Sequence, residues 1–182
     1  MKTISMCLPV LSMAFLSSLC LATHSAEVIQ LESRFSQDEV AWFNSNGENT
    51  LSGSADLRLK NGDRKRCDGF TVELLPAAKY ADERIQKTYG NINAGQVLLA
   101  DKPPKFTPDT QGYHETVRKT KCDNNGQFQF TGLPEGEYYV FAFIIWPATG
   151  GGKESQHEGG AVMKRIQLYA KKEMYVLMKN LY

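Results

Sequence analysis

The sequence predicts an all-β sandwich of about seven strands with one short helix near its N-terminus. Three observations favour this class: short runs of strand character, turns rich in glycine and asparagine between them, and no regular alternation of strands with long helices. A chain of 182 residues is long enough for one well-buried core. We divide it into a leader, residues 1–26, an N-terminal extension, residues 27–49, and a sandwich domain, residues 50–182.

The leader has the three-part pattern of a secretory signal peptide. Lys2 is its only formal charge, an apolar run follows, and small residues cluster around Ser25 and Ala26. A proline and several serines interrupt the run, which is less typical of a permanent membrane span. Cys20 follows a leucine rather than a small residue, so the pattern does not favour lipidation there. We expect an exported bacterial-type protein, periplasmic or extracellular, that meets the membrane only through this transient segment.

The charge balance argues against polyanionic partners. The chain carries 21 basic and 20 acidic residues, and loss of Lys2 with the leader leaves it formally neutral. A neutral balance provides no electrostatic footprint for nucleic acid or for an anionic membrane surface. We therefore expect no nucleic-acid partner.

The N-terminal extension contains one helix signal. Ser36 and Glu39 have the spacing of a capping box, and an apolar stretch follows them. We expect a short helix that ends near Asn46, with Trp42 and Phe43 docking it onto the main body.

The first strands of the sandwich are expected on either side of a tight turn. Residues 51–59 alternate loosely and end at Asn61-Gly62, a dipeptide typical of hairpins. Residues 69–75 alternate apolar and polar side chains, as a half-buried strand does. Residues 77–89 are rich in alanine and charge, which indicates a helical or irregular excursion instead.

The central stretch, from Cys122 to Trp146, predicts two strands with their turns. Residues 123–126 can adopt the left-handed angles of a tight turn, and residues 127–130 alternate polar and aromatic side chains. A second turn precedes residues 138–146, a long run of β-branched and aromatic residues.

The remaining segments combine loops and strands. Residues 91–112 contain three prolines and predict a long loop, and residues 113–120 predict a strand that carries His114 at an edge. Residues 147–160 predict a glycine-rich loop, and residues 161–169 and 173–179 predict a closing hairpin. The two loops form the surface at which we first expect contacts, because loops on a rigid scaffold commonly make them.

Cys67 and Cys122 are the two cysteines that remain after the leader is removed. In an oxidising compartment such a pair forms a disulfide that persists, and we expect one here. The alternatives are a metal site or a reactive thiol. The cysteines and histidines lack the short spacings of zinc ligands, so we expect no metal and no cofactor.

The central stretch also carries a family resemblance. Residues 123–130, 132–138 and Val140 look like the D-x-x-G-x-F-x-F…L-P-x-G-x-Y-x-V signature of carboxypeptidase regulatory-like domains. Those domains share a transthyretin-like (prealbumin-like) Greek-key sandwich with Cna-B-type surface modules, and residues 51–53 and 67–74 are similar to their first two strands. The signature residues shape turns and core, so the resemblance implies a fold and an accessory role rather than a reaction.

Enzymatic motifs are missing from the sequence. It contains no Gly-x-Ser-x-Gly elbow, no His-Glu-x-x-His and no phosphate-binding glycine loop. The C-terminus lacks the Tyr-Arg-Gly-Ser tail of hydroxyisourate hydrolases, which share this general sandwich. Intradiol dioxygenases bind iron through closely spaced histidines, whereas His114 and His157 are far apart in the chain.

We therefore expect a non-catalytic binding or structural module of the cell envelope or extracellular space, with a protein or glycan partner. The candidate ligand contacts are two aromatic residues, Tyr138 and Tyr139, and two polar loop residues, His157 and Glu158. Two alternatives stay open: a small metal-dependent or hydrolytic enzyme with dispersed residues, and a module whose exposed edge strand pairs with a partner strand.

Overall fold

The computed structural model describes residues 26–148, 157–169 and 171–179. All of the predicted signal peptide except Ala26 lies outside these residues, as does most of the predicted glycine-rich loop. The strands are β1 (Val28–Gln30), β2 (Asn49–Arg58), β3 (Arg64–Arg66), β4 (Thr71–Pro76), β5 (Ala94–Leu98), β6 (Lys105–Thr107), β7 (Arg118–Lys121), β8 (Gln127–Leu133), β9 (Gly136–Pro147), β10 (His157–Leu168) and β11 (Glu173–Lys179). The helices are α1 (Gln37–Val40), α2 (Lys79–Tyr89) and α3 (Gln111–Glu115), with 3₁₀ turns at Ala41–Asn44 and Leu99–Asp101.

Two sheets make up the body of the protein. The first has five strands in the order β5-β10-β9-β4-β7. In the second, β2 pairs in parallel with β11 on one side and antiparallel with β8 and β3 on the other. A separate pair is formed by β1 and β6, which run parallel.

The two larger sheets share one apolar core. Leu51 and Leu57 of β2 and Val140 and Ile144 of β9 are fully buried within it. The predominantly β class is confirmed. The described residues contain eleven strands rather than about seven, because several short edge strands form in segments that read as turn or loop.

Helix α2 covers the outer face of the five-stranded sheet. Its buried residues Ala81 and Ile85 pack with Tyr139, Phe141 and Met163 in a second apolar cluster. Strand β9 is therefore buried on both faces, since alternate residues enter the two clusters. This explains why its sequence is apolar almost throughout.

Of the two forms expected for the excursion after β4, helical or irregular, the structure shows the helix, α2. Its first residue, Lys79, donates its backbone N–H to Glu39 Oε1 at 3.2 Å. Gly90 ends the helix in the left-handed region, at φ 69°, and donates to the carbonyl of Gln86 at 2.9 Å.

The short N-terminal helix is also confirmed, as α1 and the 3₁₀ turn after it, but the capping box does not form. Ser36 makes no side-chain cap, and Glu39 accepts from the backbone N–H of Lys79 in α2. Phe43 is buried, and the ring of Trp42 lies 5.2 Å from that of Tyr138. The expected docking of both aromatic residues onto the sandwich is thus observed.

Two predicted elements were wrong. The closing hairpin does not form, because β10 pairs with β9 and β5 whereas β11 joins the other sheet. Strand β10 lies in one sheet and β11 in the other, so the two strands share a core without pairing in a β-ladder. The strand expected at residues 113–120 begins only at Arg118, and His114 lies in helix α3.

The predicted disulfide between Cys67 and Cys122 is present, with the two Cα atoms 5.7 Å apart. Both residues are buried, and the strand ends beside them are also hydrogen-bonded: Gly69 donates to the carbonyl of Cys122, and Cys122 donates to that of Phe70. No helix among the described residues has the length and apolarity needed to span a bilayer.

Candidate functional site

A spacious groove lies where three segments of the described chain meet. They are the β2–β3 turn, the segment that follows β5, and the ends of β9 and β10. The cavity measures about 800 Å³. We call it the Trp146 groove; its lining residues are Leu59, Lys60, Asn61, Leu98, Leu99, Ala100, Lys102, Trp146, His157, Glu158 and Gly159.

Trp146 is held in position from two sides. It faces Glu158 across the β9–β10 pair, and its indole Nε1 donates a hydrogen bond to Glu158 Oε2 at 3.2 Å. The Lys65 ammonium lies 5.5 Å from the ring centroid, within the range of a cation–π contact. The side chain is half-buried against the sandwich core. Its ring is therefore a fixed, partly exposed apolar surface with charged groups beside it.

The opposite wall is cross-linked by polar contacts. The Lys60 ammonium lies 2.7 Å from Asp101 Oδ1, which joins the β2–β3 turn to the segment after β5. Below this ion pair, the Gln96 amide accepts from the backbone N–H of Arg58 at 3.2 Å and donates to its carbonyl at 2.8 Å. These contacts fix one wall of the groove relative to the other sheet.

Glycine is required where β10 enters the groove. Gly159 has φ +103°, and a Cβ there would lie 2.0 Å from the carbonyl oxygen of Ile144 and 2.8 Å from Cζ3 of Trp146. A Cβ on Gly160 would lie 2.0 Å from the carbonyl oxygen of Val97. The two glycines let β10 approach β9 and β5 closely, and they leave the Trp146 ring in contact with backbone.

The structure divides the four predicted ligand contacts into two pairs. His157 and Glu158 are exposed and line the groove. Tyr138 and Tyr139 have no exposed surface, so the interpretation of either as a surface contact is corrected. They do point to opposite faces of β9, but Trp42 and Phe43 pack on one and the second apolar cluster encloses the other.

The buried tyrosines have structural hydrogen bonds. Tyr138 donates its hydroxyl to the carbonyl of Pro134, and burial raises its pKa to about 12. Tyr139 donates to Asp82 Oδ1 at 2.6 Å, and burial followed by that hydrogen bond raises its pKa above the usual range. Both hydroxyls are already engaged within the fold.

His114 lies in a second, smaller cavity of about 310 Å³, between α3 and the outer face of the five-stranded sheet. Its Nε2 is 2.7 Å from Asp109 Oδ1, which also accepts from Arg84 at 2.8 Å. Burial opposes ionisation of Asp109, but the hydrogen bonds from His114 and Arg84 keep its pKa below the usual value. The Arg84 guanidinium is itself 4.7 Å from the ring centroid of Tyr113.

The two histidines therefore line different cavities rather than one site. Across residues 26–148, 157–169 and 171–179, no group of three or more His, Cys, Asp or Glu side chains is placed to hold a metal ion. The arrangement around Trp146 is suited to holding a ligand by stacking and hydrogen bonding.

Sequence reasoning missed most of the groove. Asn61 was expected only as part of a turn, and Trp146 only as the last residue of an apolar strand. Parts of the two loops chosen as a contact surface do meet, since Leu98–Lys102 and His157–Gly159 line the same groove. The useful signal in the sequence was a tryptophan at the end of an apolar strand, directly before a polar loop.

The described fold is similar to a solved structure from Pseudomonas aeruginosa, the crystal structure of what is described as a "putative carbohydrate binding protein". The two share 26% sequence identity with a TM-score of 0.63, and the similarity covers 80% of this chain and 97% of the other. That neighbour is a binding protein by description rather than an enzyme.

No protein-family model matches the sequence. No curated protein matches it either.

Proposed function

We propose that this chain is an exported, non-catalytic β-sandwich module that binds a glycan in the Trp146 groove. The observation that carries the proposal is the fixed Trp146 ring beside charged groups in a spacious groove. The description of the Pseudomonas aeruginosa neighbour supports the same class of ligand. The disulfide supports export, because such bonds persist in oxidising compartments.

The groove combines the two kinds of contact that a sugar ring offers. The C–H face of a pyranose is apolar and packs on an aromatic ring, while its hydroxyls need hydrogen-bond partners at the edges. Trp146 supplies the ring, and His157 and Glu158 supply polar atoms around it. The Asn61 amide also lines the groove but is bonded to Asp63 within its own turn. The Trp146–Glu158 hydrogen bond fixes the ring before the ligand arrives, which lowers the entropic cost of binding.

The family assignment is part of the proposal. Within the signature, residues 123–126 form a tight turn in which Gly126 has φ 72° and donates to the carbonyl of Asp123. Phe128 and Phe130 of β8 enter the shared core. These are the structural roles that the carboxypeptidase regulatory-like signature implies, and we place the chain among transthyretin-like sandwiches on that basis, with its work in the cell envelope or outside the cell.

The test is calorimetric titration of the protein with a panel of neutral, acetamido and uronic-acid hexasaccharides. We expect at least one to bind, and Trp146→Ala to weaken it by at least about tenfold, because removing a central aromatic contact commonly costs that much. Trp146→Phe keeps an aromatic surface and should retain part of the affinity.

Tyr175→Ala is the matched control, since Tyr175 is an exposed aromatic residue on a different strand and outside the groove. It should leave the affinity unchanged. Binding that survives Trp146→Ala in a protein with an unaltered melting curve would reject the groove as the site. Failure of the whole panel to bind would reject a glycan ligand.

A further inference from the structure

Strand β11 forms one edge of the second sheet. Among the described residues its only strand partner is β2. The carbonyl of Lys172 accepts from the backbone N–H of Thr50, and alternate residues of a strand direct their backbone groups to the same side. The backbone N–H and C=O groups of Met174, Val176 and Met178 therefore point toward β2. The backbone groups of Tyr175 and Leu177 point away from the sheet, and Lys164 Nζ, 3.4 Å from the carbonyl of Leu177, contacts that free edge.

This edge has features that proteins usually avoid. It is seven residues long, lacks proline, and has charges only at its two ends, Glu173 and Lys179. Tyr175 is 60% exposed and Leu177 45% exposed. An edge of this length with exposed apolar side chains is a template for pairing with another strand.

We propose that β11 pairs antiparallel with β11 of a second copy of this chain, about a two-fold axis at Val176. In that register Glu173 of each copy lies opposite Lys179 of the other, and Tyr175 lies opposite Leu177. The opposite charges at the two ends thus meet at both ends of the joint strand pair. One surface complementary to itself is what a two-fold interface requires.

The backbone directions agree with this register. The outward-pointing groups of Tyr175 meet those of Leu177 in the second copy, so the two residues form hydrogen-bonded pairs. Val176 lies opposite Val176 of the second copy. The two form a non-hydrogen-bonded pair, because the backbone groups of each point inward, to β2 of its own chain. Glu173 and Lys179 lie on the same outer face as Tyr175 and Leu177, because all four are at odd positions of the strand.

Neighbouring registers are poorer. A two-fold axis at Tyr175 would place Glu173 opposite Leu177 and leave Lys179 beyond the pair. An axis at Leu177 would place Lys179 opposite Tyr175 and leave Glu173 beyond it. In registers shifted by one residue, backbone N–H and C=O groups that point outward from one strand face residues whose backbone groups point inward, so the pairs do not hydrogen-bond. Charge complementarity therefore selects Val176. The contacts affected are the long one from Lys164 and the 3.6 Å ion pair of the Lys179 ammonium with Asp56 of its own chain.

The test uses two single charge reversals, Glu173→Lys and Lys179→Glu, in sedimentation velocity over a range of concentrations. The wild type should show a concentration-dependent species of twice the mass of one chain. Each variant alone places like charges opposite one another at both ends, so its dimer dissociation constant should rise by about tenfold. An equal mixture of the two variants should restore the dimer, because each lysine then faces a glutamate.

The control is Lys121→Glu, a charge reversal at an exposed position of β7, the edge strand of the other sheet. It should leave the dimer unchanged. Amide hydrogen exchange gives a second readout: Tyr175 and Leu177 should gain protection as concentration rises, while Met174 and Val176 should not change. A monomeric wild type, or a mixture no more dimeric than its components, would overturn the proposal. Glycan binding by the monomer would be untouched by either result.

Discussion

Breaking the Cys67–Cys122 disulfide should remove a large part of the stability of this protein. The bond closes a loop with a sequence separation of 55 residues, and loss of that constraint on the unfolded chain corresponds to about 4 kcal/mol. Single domains are typically stable by roughly 5–15 kcal/mol, so the reduced protein should be marginal. The hydrogen bonds that join Gly69 and Phe70 to Cys122 remain after reduction, so the fold itself should persist.

The measurement is urea unfolding of the oxidised wild type against Cys67→Ala/Cys122→Ala, followed by circular dichroism. Since Cys67 is 0% and Cys122 3% exposed, reductant should act on the wild type only near its unfolding transition. A double variant within about 1 kcal/mol of the oxidised protein would refute the loop-entropy argument. So would rapid reduction of the folded protein by a mild thiol, because it would show that the bond is not buried.

Three further perturbations follow from the structure. Gly136→Ala should cost roughly 1–3 kcal/mol in urea unfolding, because its Cβ would lie 2.3 Å from Cη2 of Trp42. The Glu83 carboxylate accepts hydrogen bonds from the Ser33 hydroxyl and from the backbone N–H groups of Glu32 and Ser33, and these bonds lower its pKa. Its stabilising effect is therefore present above about pH 4.3 and is lost as the pH falls through the lowered pKa. Glu83→Gln should flatten the stability–pH curve in that range. Tyr138→Phe should remove one ultraviolet tyrosine transition near pH 12, since burial raises that pKa to about 12. An unchanged midpoint for Gly136→Ala, an unaltered acid limb for Glu83→Gln, or ionisation of Tyr138 near pH 10 would each contradict the corresponding contact.

Local patterns predicted those parts of the fold that depend on neighbouring residues. The turn at Asn61-Gly62 ends β2 as expected, although it leads into β3, a strand that the sequence did not predict. The alternation in residues 69–75 and 127–130 matches strands β4 and β8. The alanines and charges of residues 77–89 excluded a strand and left a helical or an irregular segment open, and the structure shows helix α2 there.

The misplaced elements depend on contacts distant in sequence. Residues 161–169 and 173–179 have the pattern of a hairpin, but β2 provides β11 with a parallel partner and a core that the local sequence does not reveal. The capping box at Ser36 gave way to Glu39 capping α2, a contact across 40 residues. His114 lies in helix α3, and its Nε2 is 2.7 Å from Oδ1 of Asp109, which precedes that helix.

The groove was predictable only in part, for the same reason. Glu158 and His157 were chosen because polar residues in a loop are free to bind. The aromatic candidates, Tyr138 and Tyr139, lie near the start of β9, where α2 and the N-terminal aromatic residues cover both faces. Trp146, at the end of that strand, extends beyond this cover and meets the β2–β3 turn. Which aromatic residue remains exposed is decided by what packs over the strand, and a single strand's sequence does not contain that information.

The chain offers one direct measurement of where a glycan binds, because its only two tryptophans are Trp42 and Trp146. Proton–nitrogen correlation spectra will therefore show two indole N–H signals, one from the groove and one from the packed N-terminal segment. On titration with the hexasaccharide that binds in calorimetry, the Trp146 signal should shift while that of Trp42 stays in place. A saturating ligand that leaves the Trp146 signal unmoved would contradict the assignment of the groove as the binding site.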